Sequence, residues 1–191
     1  KYFIRYKIAM IKILKTFSIL IIFVSLSQNL YSQVYLGGAR VISQFSPSSL
    51  EEYRGFGAII QRQIYFKDRI SLTPTLQGNL LTDKQYLEFL PEFYTTLSLA
   101  THINYDIVSI QKIKISPFVG PSFIWATGLR SGGVVFDEEP VNFYRLGIET
   151  GLSISYIYSE KFSIKFIPLT YTWGNKDFVQ GNILSFLFQI M

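Results

Sequence analysis

The stretch Thr96-Leu97-Ser98-Leu99-Ala100-Thr101-His102-Ile103-Asn104-Tyr105 decides the fold of this chain. Successive side chains of an extended strand point to opposite faces. Leu97, Leu99, Thr101, Ile103 and Tyr105 therefore share one side, and Thr96, Ser98, Ala100, His102 and Asn104 share the other. One face is apolar and the other polar, with the period of two that marks a half-buried strand.

The same period recurs outward in both directions. Ile113, Ile115, Pro117, Val119, Pro121, Phe123 and Trp125 alternate with Lys114, Ser116, Phe118, Gly120, Ser122, Ile124 and Ala126. Tyr144, Leu146, Ile148, Thr150, Leu152, Ile154, Tyr156 and Tyr158 alternate with Arg145, Gly147, Glu149, Gly151, Ser153 and Ser155. After residue 33 no run of helical periodicity competes. The pattern predicts eight strands, near 34–45, 54–66, 69–80, 87–106, 112–127, 143–158, 162–173 and 178–191. Short connections at Lys67-Asp68, Ile107–Gln111 and Ser159–Lys161 alternate with mostly longer ones at Ser46–Tyr53, Leu81–Tyr86, Gly128–Asn142 and Gly174–Asp177. Short turns at one end and longer loops at the other describe an antiparallel up-and-down meander, and eight strands can close. In the second strand Arg62 shares a face with Phe56, Ala58, Ile60 and Ile64, so the register of the first two strands is expected to be shifted or bulged.

Volume decides which face is outside. An interior of eight strands is only just wide enough for side chains to fill it. It has no room for Tyr105, Phe123, Trp125, Tyr144, Tyr156, Tyr158, Phe162, Phe166, Phe186 and Phe188 together, whereas the opposite face is rich in Gly, Ala, Ser and Thr. From the third strand onward the apolar face carries no Asp, Glu, Lys or Arg, and Glu88, Glu92, Lys114, Arg145, Glu149 and Lys165 lie opposite. A charge facing lipid at mid-depth costs about 2–4 kcal/mol, which accounts for such segregation. The expected fold is an all-β, eight-stranded antiparallel transmembrane barrel over residues 33–191. A soluble calyx of reversed sense is the alternative. Pro74, Pro117, Pro121 and Pro168 on the apolar face lack a ladder donor, and sequence offers no full account of them.

Charge adds a second, separate segment. The chain of 191 residues has a formal charge of +5 and no cysteine, which excludes a disulfide scaffold and a cysteine zinc site. Residues 1–32 hold Lys1, Arg5, Lys7, Lys12 and Lys15 with no acid, and the remainder carries 13 basic and 13 acidic side chains. Lys12 and Lys15 precede the apolar run Thr16–Leu26, then small and polar residues follow, which is the layout of a secretory signal peptide. A run of about eleven residues spans roughly 16 Å as a helix, too short for a ~30 Å hydrocarbon layer. Residues 1–32 are read as the signal, cleaved after Ser32 or Ser27, with 1–9 a mis-assigned extension before Met10. Without that segment no basic patch argues for nucleic acid.

At this point the chain resembles the small outer-membrane β-barrel domain proteins common in Bacteroidota, eight-stranded barrels of the PorT-like, OmpA-like and OmpX-like kind. The resemblance covers 33–191. It rests on Tyr31-Ser32-Gln33, Tyr86-Leu87-Glu88-Phe89, Ser116-Pro117-Phe118-Val119-Gly120-Pro121-Ser122 and Leu146-Gly147-Ile148-Glu149-Thr150-Gly151-Leu152. It implies an outer-membrane location in a Gram-negative cell, outer-membrane lipid as surroundings and the barrel-assembly machinery as a partner. Such barrels end on an aromatic residue, but here Ile190-Met191 follows Phe188, so the terminal signal is imperfect or the chain continues.

The candidate site is a polar network in the lumen: Glu88, Glu92, His102, Lys114, Arg145, Glu149 and Lys165. Three carboxylates against three cations suggest a salt-bridged plug, with Arg145 and Glu149 as the best pair because i and i+4 of a strand share a face. A narrow polar conduit is the other reading. His102 is the lone histidine, and an acyl hydrolase would need a serine beside it. His102-Ile103-Asn104 lacks the His-x-Ser pattern, leaving Ser98 or Ser116 as geometric possibilities. Asp137-Glu138-Glu139 lack the spacing of a calcium loop and read as a solvated or lipopolysaccharide-facing segment. Gly37-Gly38 does not make a phosphate loop without a following helix. No cofactor or metal is expected. The function read from sequence is a non-enzymatic outer-membrane scaffold or envelope-assembly component, contacting an envelope protein or surface ligand through loops 46–53 and 128–142. Binding or passage of a small apolar solute, or acyl hydrolysis by His102, are the alternatives.

Overall fold

The computed structural model describes residues 32–44, 52–83, 93–131, 138–159, 161–176 and 178–190. The expected signal segment, Glu88, Glu92 and most of loop 46–53 lie outside them. Within them the chain forms β1 (Ser32–Gln44), β2 (Tyr53–Lys67), β3 (Ile70–Asp83), β4 (Phe93–Tyr105), β5 (Val108–Ile110), β6 (Ile113–Ser131), β7 (Glu138–Ser159), β8 (Phe162–Gly174) and β9 (Val179–Gln189). Every pairing is antiparallel, each strand lies beside its sequence neighbour except β4 and β5, which both pair with β6, and β1 pairs with β9. The sheet therefore closes. The three-residue β5 continues β4 across a break at Asp106-Ile107, so the barrel has eight staves among the described residues.

Both described termini and the short turns after Lys67, Ile110 and Ser159 share one end, called here the turn end; the longer connections lie at the loop end. The expected alternation holds along the strands. Outward side chains include Phe56, Leu80, Trp125, Tyr144, Ile148, Tyr158, Phe186 and Phe188, all strongly exposed, while Ser, Thr, Asn and Gln dominate the buried interior. Closure satisfies the backbone ladders without a sheet edge, and the large apolar side chains are left on the outer wall.

Arg62 does lie on the outer face, yet β1 and β2 pair without a shift from Ser32↔Ile64 to Ser43↔Tyr53. The expected irregularities fall on the outer sides of this pair: β2 shifts against β3 between Tyr65 and Lys67, and β1 shifts against β9 between Gly38 and Arg40. There Ile183 and Leu184 both turn outward, so inward parity changes from Gln180 and Asn182 to Ser185 and Leu187. Leu184 takes a positive φ of 54° at this bulge.

The four prolines now have a structural account. Each lies beside a break in one of its ladders. Pro74 faces the gap between Gln61↔Thr75 and Ile64↔Leu72, and Pro121 the gap between Ala100↔Ser122 and Ile103↔Val119. Pro117 lies opposite the Asp106 break, and Pro168 where β8 shifts against β7. A residue without an N–H is tolerated where no ladder bond is due.

Connection 128–142 is shorter than expected, because Thr127↔Asn142 to Ser131↔Glu138 continue the ladder. The β6–β7 hairpin thus projects past the rim. Pairing of β7 with β8 ends at Gly147↔Gly174, and Asn175 caps the next residue, its N–H donating to the Leu146 carbonyl at 2.7 Å. Beyond that cap, the outer edge of Glu138–Arg145 has no strand partner among the described residues.

Candidate functional site: the lumen network

The lumen is layered. At the loop end Tyr53, Leu81, Tyr94 and Phe178 close it with apolar bulk, each 5% exposed or less, and the Tyr53 and Tyr94 rings meet edge to face at 4.6 Å. The volume argument excludes the apolar-face rings taken together, and the alternation puts Phe118 on the inner face. The structure seats Tyr35, Tyr53, Tyr94, Phe118 and Phe178 inside, with Gly128, Gly151 and Gly174 making room for Tyr94, Phe118 and Phe178. Phe118 shows how: a Cβ on Gly151 would overlap its Cζ.

An amide layer follows. Gln77 and Asn182 exchange two hydrogen bonds across the lumen, Gln77 Nε2 donating to Asn182 Oδ1 at 3.0 Å and Asn182 Nδ2 returning to Gln77 Oε1 at 2.9 Å. Gln77 also donates to Asn79 Oδ1, and Asn79 Nδ2 to Thr96 Oγ1 at 2.8 Å. Gly57 gives these amides their space, because a Cβ there would overlap Asn79 Oδ1 and sit 3.2 Å from Gln77 Nε2.

Charged groups occupy the lower half. His102 Nε2 lies 3.2 Å from Glu149 Oε1, off the line of a well-formed hydrogen bond, and Nδ1 lies 3.4 Å from Thr75 Oγ1. The imidazole also leans on the Phe118 ring at 4.8 Å. Lys165 is fully enclosed. It donates to Gln63 Oε1 at 2.6 Å and stands 4.1 Å from the Tyr35 ring. Gln63 passes the chain on to Ser71 and Tyr65, and Lys114 reaches Tyr65 at 3.4 Å and Asp106 at 3.3 Å. Asp106 also accepts a hydrogen bond from Ser116 Oγ on Oδ1 at 2.6 Å.

Of the residues read from sequence, His102, Glu149 and Lys165 are buried in the lumen and Lys114 lies at its turn end. Glu88 and Glu92 lie outside the described residues. Arg145 and Glu149 do not pair. Four residues of strand cover about 13 Å, so sharing a face does not bring i and i+4 into contact. Arg145 stands past the last β7–β8 pair, its guanidinium 4.4 Å from the Phe143 ring. Among the described residues the charged contacts of the lumen are His102–Glu149 and Lys114–Asp106, with Lys165 held by an amide and a ring, and the expected plug's other two acids, Glu88 and Glu92, lie outside them. Asp106 escaped the sequence reading. It shares the even inward parity of His102 and Asn104 and lies at the last position of the expected strand 87–106.

Thr75, His102 and Glu149 form a hydroxyl–imidazole–carboxylate series, but it is sealed. The space beside it, lined by Gln61, Thr73, His102, Asn104, Phe118 and Lys165 among others, is too narrow for a water molecule. Ser116 is engaged with Asp106, and His102 has no hydrogen bond to Ser98. Nothing here presents the imidazole to an acyl chain on the outer wall. The network is fitted to hold strands together and fill the bore.

Lys165 provides a test of that role. A buried cation gains less from an amide and a ring than it loses in water, so an apolar isostere suits the site. Lys165→Met is expected to leave unfolding free energy unchanged or raise it by about 1 kcal/mol, whereas Gln63→Leu, which strands the ammonium, should lower it by about 1–3 kcal/mol. Urea unfolding of the refolded barrel checks both signs.

No protein-family model matches the sequence, and no curated protein matches it. Solved structures do resemble the fold. Neisserial surface protein A (NspA) aligns with TM-score 0.58 and 16% identity over 84% of this chain and 97% of its own. Ail, the attachment invasion locus protein of Yersinia pestis, aligns with TM-score 0.54 and 12% identity over 83% and 96%, and has also been solved with the heparin analogue sucrose octasulfate. A major outer membrane protein from Thermus thermophilus aligns with TM-score 0.54 and 9% identity over 84% and 99%. At these identities the likeness is one of fold: this chain has the architecture of small outer-membrane barrels.

Proposed function

We propose that the chain is a non-enzymatic barrel of a Gram-negative outer membrane, delivered by its N-terminal segment as a cleaved signal and serving as a scaffold for surface contacts. One observation carries this reading: the closed wall turns its large aromatic and aliphatic side chains outward and its amides, hydroxyls and charges inward. Water offers no reason for that inversion, and lipid does. The filled lumen argues against solute passage, and the sealed His102 against lipid hydrolysis.

Contact with partners falls to the loop end. The projecting β6–β7 hairpin offers an open edge over Glu138–Arg145, roughly 25 Å of backbone donors and acceptors suited to pairing with an extended strand. By sequence, the long connections and the strand ends they join carry nine carboxylates (Glu51, Glu52, Asp83, Glu88, Glu92, Asp137, Glu138, Glu139 and Asp177) against five cations, Arg54, Lys84, Arg130, Arg145 and Lys176. That balance suits a cationic or neutral envelope partner better than a sulfated sugar.

The expressed protein should sediment with outer membranes and run faster on SDS gels before boiling than after it, as closed barrels do. It should release no fatty acid from phospholipid, with or without His102→Ala. A detergent-free, freely soluble monomer would sink the membrane reading.

A further inference from the structure

The opposite end of the barrel is basic. Lys67 and Arg69 flank the β2–β3 turn, Lys112 tips the β5–β6 turn, and Lys161 lies in the β7–β8 turn, all four exposed. Two carboxylates, Asp68 and Glu160, share these turns, so cations prevail two to one. Among the described residues none of the four is in an ion pair, whereas Lys114, just inside the bore, is already held by Asp106.

The surroundings of these cations are apolar. Phe66, Tyr158 and Phe162 point outward beside them, half or more exposed apart from Phe162 at 42%. Tyr158 and Phe162 meet edge to face at 6.4 Å, and the Lys112 ammonium stands 5.3 Å from the Tyr158 ring. Rings at the level of the acyl chains with cations a few ångströms beyond them match the depth profile of a bilayer surface. Charge decides which surface. A zwitterionic headgroup gives four cations no net attraction, and an anionic phosphodiester does.

We propose that the turn end is a collar that recognises the anionic headgroups of phospholipids in the leaflet it meets. This rests on the membrane reading above and adds to it a lipid preference and an orienting force. The acidic loop end would be repelled by the same headgroups, so both ends favour one direction of insertion.

The test folds the mature chain, and a Lys67→Gln/Arg69→Gln/Lys112→Gln/Lys161→Gln variant, into vesicles of phosphatidylcholine alone and of equimolar phosphatidylcholine and phosphatidylglycerol. Gel shift scores insertion, and native mass spectrometry after gentle extraction scores the lipids retained. Phosphatidylglycerol is expected to be enriched over phosphatidylcholine on the wild type, with the enrichment falling about tenfold in the variant and fading with salt. Both proteins should insert equally well into phosphatidylcholine. Equal retention of the two lipids by an inserted wild type overturns the collar and leaves the barrel in its membrane. Enrichment that survives the four substitutions also overturns it, by placing the anion site elsewhere. A wild type that inserts into neither vesicle overturns the membrane reading itself.

Discussion

Leu76→Arg is expected to destabilise the barrel in a bilayer by about 2–4 kcal/mol, the cost of a guanidinium facing hydrocarbon near mid-depth. Leu76 sits at the middle of β3, faces outward, and is flanked on the same face by Ile60 of β2 and Leu99 of β4. The long side chain has no nearby carboxylate on that wall and must reach for an interface along the outside. Reversible urea unfolding from phosphatidylcholine vesicles measures the loss directly. In detergent micelles, where water lies closer, the loss should shrink. An unchanged unfolding free energy in both media would mean that this wall does not face lipid, and a soluble calyx would have to be reconsidered.

Gly151→Val should cost about 3 kcal/mol, at the upper end of overpacking penalties. Local preference points the other way, since valine is a better strand residue than glycine. The obstacle is tertiary. A Cβ at 151 would overlap the tip of the Phe118 ring and lie 2.8 Å from the Leu169 carbonyl oxygen. The ring is held on its other side by His102, whose imidazole centroid lies 4.8 Å away. Phe118→Ala in the Gly151→Val background should therefore recover part of the loss, leaving the share due to the Leu169 carbonyl. A double-mutant cycle by urea unfolding reads that coupling, and strict additivity would show that ring and glycine do not share a site.

Several features were legible residue by residue. The alternation from Thr96 to Tyr105 assigns His102 and Asn104 to the interior and Leu97 and Ile103 to the wall, as found. Arg62 points to a shifted or bulged register because a cation on an apolar face is costly; β2 does shift against β3 between Tyr65 and Lys67, its pairing with β1 is regular, and Arg62 lies toward the turn end with its Nη2 3.3 Å from Ser32 Oγ. Phe118 was legible as inward by its parity, but the room for its ring was not, because average bore width says nothing about a local widening opposite a glycine. The partner of Glu149 was not legible either. His102 lies on β4 and Glu149 on β7, and their meeting depends on the stagger accumulated across β6.

Parity therefore belongs to the sequence. A side chain's face follows from counting by two along its own strand, and with Gly, Ser and Thr on one face and rings on the other, volume decides which is inside. Contact across the bore belongs to the tertiary structure. Whether Glu149 meets His102 or Arg145, and whether Phe118 finds Gly151 beneath it, depends on register and bulges summed around a closed sheet, where one residue of slip moves a side chain by about 3.3 Å and turns it to the other face.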